Sequence, residues 1–413
     1  MRVLMLSWEY PPKGVGGLAQ HVYDLSSALA KNGDEIHVIS CGGPDLPAFE
    51  EVNGVQVHRV APLNLRAPDF KTWILHLNIS ILEYAMGLLH SFGSTIPVDV
   101  VHNHDWLTAY AARAIKHAYS VPLIGTIHAT EWGRNQGLHT DEQRYISDVE
   151  WWLTYESWRV IVCSNYMEEE LKRIFQLPKD KLRVIPNGIN PVNFAVKPGQ
   201  ASIKTNYASP DQKLVYFVGR LVHEKGVQVL LDAVPKILHY HPKTKFVIAG
   251  KGPNEEYLRG KATEMGIAHH IYFTGYIDDK TRNALYKEAD VAVIPSLYEP
   301  FGIVALEGMA AQTPVVVSDT GGLSEIIKHE QNGLKIYPGS ASSLADNVLK
   351  ILCDPGFGDK LKANAYQEVE AIYSWDKIAQ ATKKVYEGVL SEWRASQFTV
   401  QQNQYQSVRI QYN

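Results

Sequence analysis

The stretch "VAVIPSLYEPFGIVALEGMAAQTPVVVSD", at residues 291–319, contains the pattern from which we predict the fold of this chain. Residues 291–296 and 314–319 are short runs rich in valine and isoleucine, which are typical of strands buried on both faces. The apolar residues 305–311 lie between these runs and predict a helix. A strand, a helix and a second strand in this order predict a parallel βαβ unit.

The same alternation continues in both directions along the chain. Further strands are predicted at residues 214–220, 245–252, 271–277 and 334–338, and at residues 2–8, 35–40, 98–105, 122–130 and 159–164. Helices are predicted by the spacing of Leu18, Val22, Leu25 and Leu29, which Gly33 can close, and at residues 141–157. A polar stretch at residues 184–211 separates the two halves and is interpreted as a linker.

The predicted fold class is α/β, with two Rossmann-like domains that face each other across a cleft. A chain of 413 residues is too long for one ordinary core and suits two domains. We expect the N-terminal domain at residues 1–190 and the C-terminal domain at residues 191–374. Because ligands of open α/β sheets bind beyond the carboxyl ends of the strands, candidate residues are sought there.

Composition argues against several classes of protein. A net charge of −4 lacks the basic excess of a nucleic-acid-binding protein. No apolar run reaches the ~18 residues that span a bilayer, so no transmembrane segment is expected. The first residues resemble a strand and are not followed by a signal-peptide cleavage site. Three widely spaced cysteines, Cys41, Cys163 and Cys353, favour reduced thiols and a cytoplasmic location.

Two glutamates flank the helix start in the opening stretch. Glu299 precedes the helix, where its carboxylate can reach a ligand, and Pro300 and Gly302 can set the turn so that free N–H groups point outward. Glu307 returns close to the same helical face as the helix start. One carboxylate is then suited to sugar hydroxyls and the other to a ribose, with a phosphate at the N–H groups. The alternative is two unrelated surface glutamates.

Two cations follow the first strand of the C-terminal half. Arg220 and Lys225 lie after residues 214–219, beside the turn residue Gly226. A guanidinium fork and an ammonium point charge can together hold a diphosphate. The alternative is a pair of solvated surface charges.

A glycine-rich loop follows the first strand of the chain. Gly14, Gly16 and Ala19 fit the dinucleotide-binding pattern G-x-G-x-x-G/A, which predicts an anion at a helix N-terminus. An NAD site is disfavoured, because the loop is long and the second strand ends in Ser40 and Cys41 without the acid that binds ribose. The alternative is that the glycines only shape the loop.

Histidines and an aspartate follow two later strands of the N-terminal half. His102, His104 and Asp105 lie at one strand end and His128 lies at the next. Two histidines and a carboxylate are suited to zinc or iron, although the third ligand is not evident. The other interpretations are that His128 faces the cleft or is a hydrogen-bonded structural histidine.

These segments resemble a known family. The chain is similar over nearly its whole length to retaining glycosyltransferases of the family 4 type with the GT-B fold, in the group that contains bacterial and archaeal glycogen synthases. The matching segments are "KGVGGLAQH" (13–21), "HNHDW" (102–106), "TIHAT" (126–130), "GRLVHEKG" (219–226), "EPFGIVALE" (299–307) and "DTGGLSEII" (319–327). Phe301 departs from the cysteine of some glycogen synthases, which leaves the donor and acceptor open.

The resemblance implies roles for individual residues. Arg220 and Lys225 are expected to hold the donor diphosphate, Glu307 the ribose, and Tyr276 is expected to stack on the base. The remaining implied donor-binding residues are Gly16, Gly17, Gly302, Ile303 and Val304. The implied catalytic residues are Glu299, which contacts hydroxyls of the transferred sugar, and His128 and Asp105 on the sugar site.

The resemblance also implies an activity. We expect a retaining hexosyltransferase that moves glucose from ADP-glucose or UDP-glucose to a carbohydrate acceptor, as glycogen and α-glucan synthases do, without a metal or other cofactor. A helix at residues 375–396 is expected to cross back to the N-terminal domain, and residues 397–413 to form a polar tail. The alternatives are a small sugar or sugar-phosphate acceptor, as in disaccharide or trehalose-type synthesis, a pyridoxal-dependent phosphorylase, and a non-catalytic sugar-binding protein.

Overall fold

The computed structural model describes residues 1–14, 16–93, 97–194 and 202–410. The chain divides into two units. The first unit consists of Met1–Cys163, Glu168–Ile185 and Asp376–Asn413, and the second consists of Ser164–Met167 and Pro186–Trp375.

An eight-stranded sheet forms the centre of the first unit, in the order β3-β4-β2-β1-β5-β6-β7-β8. Its strands are β1 (Arg2–Leu6), β2 (Glu35–Cys41), β3 (Phe49–Val52), β4 (Val55–Val60), β5 (Val100–His104), β6 (Leu123–Ile127), β7 (Arg159–Val162) and β8 (Leu182–Val184). The pairings are parallel except at β3, which runs antiparallel to β4. This antiparallel edge strand was not predicted from the sequence.

A tight hairpin causes the exception at β3. Asn53 and Gly54 connect β3 to β4, and both have positive φ, at 53° and 78°. Asn-Gly with two positive φ angles is the preferred two-residue hairpin turn, because its twist matches that of the flanking strands.

Helices surround this sheet. They are α1 (Gly17–Lys31), α2 (Phe70–Ser91), α3 (Ala109–Tyr119), α4 (Glu131–Asn135), α5 (Asp141–Glu156) and α6 (Asn165–Phe175). The helices predicted to end at Gly33 and to occupy residues 141–157 are confirmed by α1 and α5.

Helix α2 was not predicted, and its 22 residues are long and apolar enough to cross a membrane, by length and composition only. One third of its most apolar window is buried inside the chain. Buried Asn78 of α2 donates to Leu107 O at 2.8 Å and accepts from Ala111 N at 3.0 Å. These contacts are typical of a core helix, and the expectation of no transmembrane segment has weak support.

The second unit contains a six-stranded parallel sheet in the order β11-β10-β9-β12-β13-β14. Its strands are β9 (Lys213–Val218), β10 (Thr244–Ala249), β11 (Ile271–Gly275), β12 (Val291–Ile294), β13 (Val315–Ser318) and β14 (Leu334–Ile336). Its helices are α7 (Val227–Tyr240), α8 (Glu255–Glu264), α9 (Asp279–Glu288), α10 (Ile303–Ala310), α11 (Leu323–Ile326), α12 (Ala341–Cys353) and α13 (Pro355–Ile372). The predicted βαβ unit is confirmed as β12, α10 and β13.

The last helix, α14, runs from Trp375 to Ile410 and belongs to the first unit from Asp376 onward. Lys383 Nζ lies 2.9 Å from Asp34 Oδ1, and Tyr386 OH lies 2.7 Å from His102 Nδ1. The helix continues over most of residues 397–413, which were expected to be a polar tail, and residues 411–413 lie outside the described part of the chain.

Candidate active site

The turn between β12 and α10 brings Glu299 to the start of a helix. Gly302 precedes the first residue of α10 and has a φ of 111°, a left-handed backbone conformation that favours glycine. Gly302 also has no side chain that could cap the helix. The N–H groups of Ile303 and Val304 therefore begin a helix end that is suited to an anion.

Lys225 and Glu299 form an ion pair within the second unit. Lys225 Nζ donates to Glu299 Oε2 at 2.8 Å, and Ser296 Oγ donates to the same oxygen at 3.0 Å. Glu299 is only 7% exposed. A buried carboxylate with a charged and a neutral donor is held in one position. Both glutamate and lysine were predicted for the site, but their contact was not.

Arg220 lies close to the same strand end as Lys225. Its Nη2 atom is 3.3 Å from Glu224 Oε1, and its side chain is 48% exposed. An exposed guanidinium with one loosely placed partner keeps donors available for an anion. Two cations therefore follow β9, as the diphosphate interpretation requires.

Glycines allow neighbouring loops to approach the Glu299 segment closely. A Cβ at Gly226, where φ is 72°, would lie 1.9 Å from Pro295 O. A Cβ at Gly321, where φ is 53°, would lie 2.0 Å from Glu299 O. Gly322 N donates to the same carbonyl oxygen at 2.9 Å. The loops after β9, β12 and β13 thus meet through their backbones, and this fixes where Glu299 lies.

Glu307 is buried inside the second unit. Tyr286 OH donates to Glu307 Oε2 at 3.1 Å, and Arg282 Nε lies 3.6 Å from Glu307 Oε1. Burial raises the pKa of Glu307, while the charge of Arg282 and the Tyr286 hydrogen bond act in the opposite direction. Glu299 and Glu307 are both buried, so the alternative of two surface glutamates is wrong. Tyr286 and Arg282 were not predicted.

Tyr276 follows β11 and is 76% exposed. An exposed ring presents a flat face for stacking. Its position in the second unit is compatible with the base-stacking role that the resemblance implies.

Gly16 and Gly17 lie at the N-terminus of α1 in the first unit. A Cβ at Gly14 would lie 2.8 Å from Ala19 Cβ, so packing accounts for that glycine. A Cβ at Gly16 would meet nothing within 4 Å, and the backbone there is ordinary extended chain with a φ of −160°. The open space at this helix end is what the anion-binding interpretation requires. Val15 lies outside the described residues.

Three histidines of the first unit lie together. His21 lies on α1, His104 ends β5 and His128 follows β6. His104 Nδ1 is 3.2 Å from His128 Nε2, and the ring centroids of His21 and His128 are 4.6 Å apart. Burial lowers the pKa of His128 to about 3 and that of His104 well below its usual value, so both imidazoles are neutral at pH 7. His21 was not predicted, because it lies on a helix and not at a strand end.

Asp105 positions the His128 backbone and is itself strained. Its φ of 58° and ψ of 178° lie in a region almost exclusive to glycine. Asp105 Oδ1 accepts from His128 N at 2.8 Å, and Asn103 Nδ2 donates to Asp105 O at 2.6 Å. Burial raises the pKa of Asp105 to about 6, and the charge of Arg134 opposes this rise. Strain of about 1–3 kcal/mol clusters at functional sites, which supports a role for Asp105 there.

His102 serves a structural purpose. Its Nδ1 atom is 2.7 Å from Tyr386 OH and its Nε2 atom is 2.7 Å from Thr126 Oγ1. Both ring nitrogens therefore have partners within the protein. The metal site considered from His102, His104 and Asp105 is not assembled in the structure.

A buried carboxyl group that was not predicted from the sequence lies on α5. Both oxygens of Glu150 accept from Glu131 N at 3.0 Å, at the start of α4. Burial raises the pKa of Glu150 to about 8, and the charge of Arg134 acts in the opposite direction. This carboxyl group is therefore mostly protonated at pH 7.

Two family models match the chain. The model described as Glycosyltransferase Family 4 matches residues 15–192, and the model described as Glycosyl transferases group 1 matches residues 200–368.

Curated relatives match over most of the chain. An uncharacterized glycosyltransferase of Methanocaldococcus jannaschii is 44% identical over 391 residues, which cover 94% of this chain and 98% of the relative. A glycogen synthase of Mycobacterium tuberculosis is 38% identical over 398 residues, which cover 94% of each chain.

Solved structures share the fold. A sucrose-phosphate synthase from Thermosynechococcus elongatus has a TM-score of 0.83 at 25% identity and covers 95% of this chain and 99% of its own. The catalytic domain of starch synthase IV from Arabidopsis thaliana, bound to ADP and acarbose, has a TM-score of 0.76 at 19% identity and covers 94% of this chain and 99% of its own. The latter match bears on the fold alone.

Proposed function

This chain belongs to the group 1 and family 4 glycosyltransferases with the GT-B fold, and we propose that it moves glucose from a nucleotide diphosphate sugar to a carbohydrate acceptor with retention of configuration. The observation that carries this proposal is the Lys225–Glu299 ion pair at the start of α10. In this ion pair, a cation suited to the leaving diphosphate lies beside a carboxylate suited to sugar hydroxyls.

The second unit supplies positive charge for the leaving group. As the bond from the anomeric carbon to the diphosphate breaks, negative charge develops on the diphosphate oxygens. Arg220, Lys225 and the N–H groups at the start of α10 are fixed donors for that charge. These donors supply the positive charge that a divalent cation would otherwise bring to the diphosphate, so we propose that turnover requires no metal.

Glu299 binds the transferred sugar in this proposal. A carboxylate accepts hydrogen bonds from hydroxyl groups, and the hydrogen bond from Ser296 Oγ holds that of Glu299 in orientation. When the donor binds, the ammonium of Lys225 exchanges its contact with Glu299 for one with the diphosphate. The acceptor hydroxyl then attacks the anomeric carbon from the same face from which the diphosphate departs. A departing phosphate oxygen takes the proton of that hydroxyl.

The first unit supplies His128, with Asp105 as the residue that positions it. A neutral imidazole donates a hydrogen bond to, or accepts one from, a sugar hydroxyl without adding charge beside the oxocarbenium-like transition state. The N-terminus of α1 is a further helix end suited to an anion, since a Cβ at Gly16 would meet nothing within 4 Å.

The glycogen synthase relative at 38% identity favours an α-glucan as the acceptor, with ADP-glucose or UDP-glucose as the donor. A sugar phosphate is the second candidate acceptor, because the sucrose-phosphate synthase structure has a TM-score of 0.83. The three cysteines carry free thiols, which supports a cytoplasmic location.

A panel of nucleotide sugars tests the proposed activity. The protein is incubated with ADP-, UDP- and GDP-glucose, each with maltooligosaccharides, glycogen, or fructose 6-phosphate, and released nucleotide is measured. We expect acceptor-dependent release with maltooligosaccharides and glycogen. Release that requires fructose 6-phosphate would favour the second candidate, and no acceptor-dependent release from any donor would contradict both.

A further inference from the structure

The three clustered histidines of the first unit bring their ring nitrogens close together. His21, His104 and His128 each present one ring nitrogen, and these three atoms lie within 4.8 Å of one another. His21 and His104 are buried, while His128 is half-buried. Three imidazoles that converge at the edge of a protein interior are a ligand set of the kind that binds transition metals.

The distances are close to those of a metal site. Tetrahedral zinc with Zn–N bonds of about 2.0–2.1 Å places two ligand nitrogens about 3.4 Å apart. His104 Nδ1 and His128 Nε2 are already 3.2 Å apart. The third nitrogen, on His21, lies within 4.8 Å of both, so it needs to move by at most about 1.4 Å to reach the same spacing.

The contact between two of the rings also suits a metal. His104 Nδ1 and His128 Nε2 face each other, so one of these nitrogens already presents a lone pair to the other. The hydrogen atom between His104 Nδ1 and His128 Nε2 must leave when a metal enters. His104 Nε2 is buried without a hydrogen-bond partner among the described residues, so it can carry the ring hydrogen in the metal-bound tautomer.

The surroundings hold two of the three ligands in place. Asp105 Oδ1 fixes the His128 backbone, and the His102 ring packs against His104 with centroids 4.2 Å apart. Because His128 is half-buried, the fourth position of a tetrahedral ion would face the more accessible side and take water. Three protein ligands with one open position is the arrangement of catalytic zinc sites, whereas structural sites are closed.

We propose that His21, His104 and His128 form a site for one divalent transition metal ion, zinc above all, and that occupancy of this site inhibits the enzyme. The ion uses the His128 lone pair, which the proposed function assigns to a sugar hydroxyl. It also brings positive charge to the place where the sugar becomes oxocarbenium-like. Metal ions at this site therefore oppose turnover and do not support it.

A binding measurement tests the site independently of turnover. Metal-free protein is titrated with Co²⁺, a spectroscopic substitute for zinc, and the visible absorption is recorded. We expect one equivalent to give the intense bands of four-coordinate cobalt, and one equivalent of Zn²⁺ to remove them. His21→Asn should weaken binding by at least about 10-fold, because loss of even an outer-sphere partner costs that much.

Two further variants keep the test decisive. His21→Cys should restore binding, since a thiolate is a zinc ligand, and this separates a ligand role of His21 from a packing role. His269→Gln, at an exposed histidine of the second unit, is the matched control and should bind as the wild type does. The proposal is overturned if the wild type gives no four-coordinate bands, or if His21→Asn binds as tightly as the wild type.

Turnover then tests the inhibition. Zn²⁺ should inhibit nucleotide release at the concentrations that displace Co²⁺, and His21→Asn should require at least about 10-fold more Zn²⁺, relative to its own metal-free rate. Equal inhibition of both proteins would contradict the inhibitory role. Because the cobalt titration needs no substrate, failure of the proposed activity would leave the metal site testable.

Discussion

Lys225 and Glu299 lie 74 positions apart in the sequence, yet Lys225 Nζ is 2.8 Å from Glu299 Oε2. Both residues follow the carboxyl ends of neighbouring strands, β9 and β12. In this structure each charge neutralises the other. Binding of the proposed donor exchanges that contact for two contacts with the ligand, one to the diphosphate and one to the sugar.

Loss of the cations should slow the reaction. We expect Lys225→Ala and Arg220→Ala each to reduce kcat by about 10²–10³, because one fixed charge near the leaving diphosphate disappears. Nucleotide release from the best donor measures the effect. Lys243→Ala is the matched control, since its Nζ pairs with exposed Asp211, and it should retain wild-type turnover. Near-normal turnover in both site variants would remove the cations from the donor site.

Loss of the Glu299 charge should also impair turnover. Glu299→Gln keeps the size of the side chain, and its amide oxygen can still accept from Ser296 Oγ. We expect kcat to fall by about 10²-fold or more, because the amide is a weaker acceptor for sugar hydroxyls than a carboxylate. Glu264→Gln, at an exposed position of the same unit, should have no effect. A fully active Glu299→Gln variant would mean that the carboxylate is only structural.

Gly321 sets the position of Glu299 through the backbone. Gly321→Ala should lower both turnover and thermal stability, because the new Cβ would lie 2.0 Å from Glu299 O at a φ of 53°. Gly260→Ala within α8 provides the contrast, since nothing lies within 4 Å of its Cβ. Alanine there should leave turnover unchanged and stabilise the helix by about 0.5–1 kcal/mol. If Gly321→Ala had wild-type turnover and melting temperature, the close backbone approach would not be needed.

Glu150 should make stability depend on pH. Its pKa is about 8 in the folded chain, above the ~4.3 of an unfolded chain. Between these values the folded state binds more protons, so the free energy of unfolding falls as pH rises from about 4 to 8, by up to ~1.4 kcal/mol per pH unit.

The variant Glu150→Gln removes this titration. The melting temperature of Glu150→Gln minus that of the wild type should therefore rise steadily as the pH is raised from about 4 to 8. Glu142→Gln, at an exposed position of the same helix, should follow the wild-type profile. Parallel profiles for the wild type and Glu150→Gln would show that burial does not shift this carboxyl group.

The strands that carry the site were predictable because they are buried on both faces. Such strands appear in a sequence as apolar runs, and β12, α10 and β13 follow the opening stretch closely. The hairpin of β3 and β4 was missed even though Asn53-Gly54 marks its turn. Strand β8 has only three residues and gives too short a pattern to recognise.

The contacts between site residues could not be predicted from the sequence, because they join residues that are far apart along the chain. Strand order places Lys225 beside Glu299 and His21 beside His128, and no local pattern encodes strand order. The sequence likewise did not predict that Glu307 and Glu150 are buried, because a glutamate on a helix is usually exposed. Sequence motifs identified most of the candidate site residues, whereas the side chains that contact them became known only from the structure.

The stereochemistry of the product tests the central proposal most directly. Chelator-treated protein is incubated with α-linked ADP-glucose or UDP-glucose and a maltooligosaccharide, and the new glycosidic bond is identified by NMR. We expect an α-linked product formed with one nucleotide diphosphate released per bond, at a rate that added Mg²⁺ does not increase. A β-linked product, or turnover that begins only when a divalent metal is restored, would contradict the account.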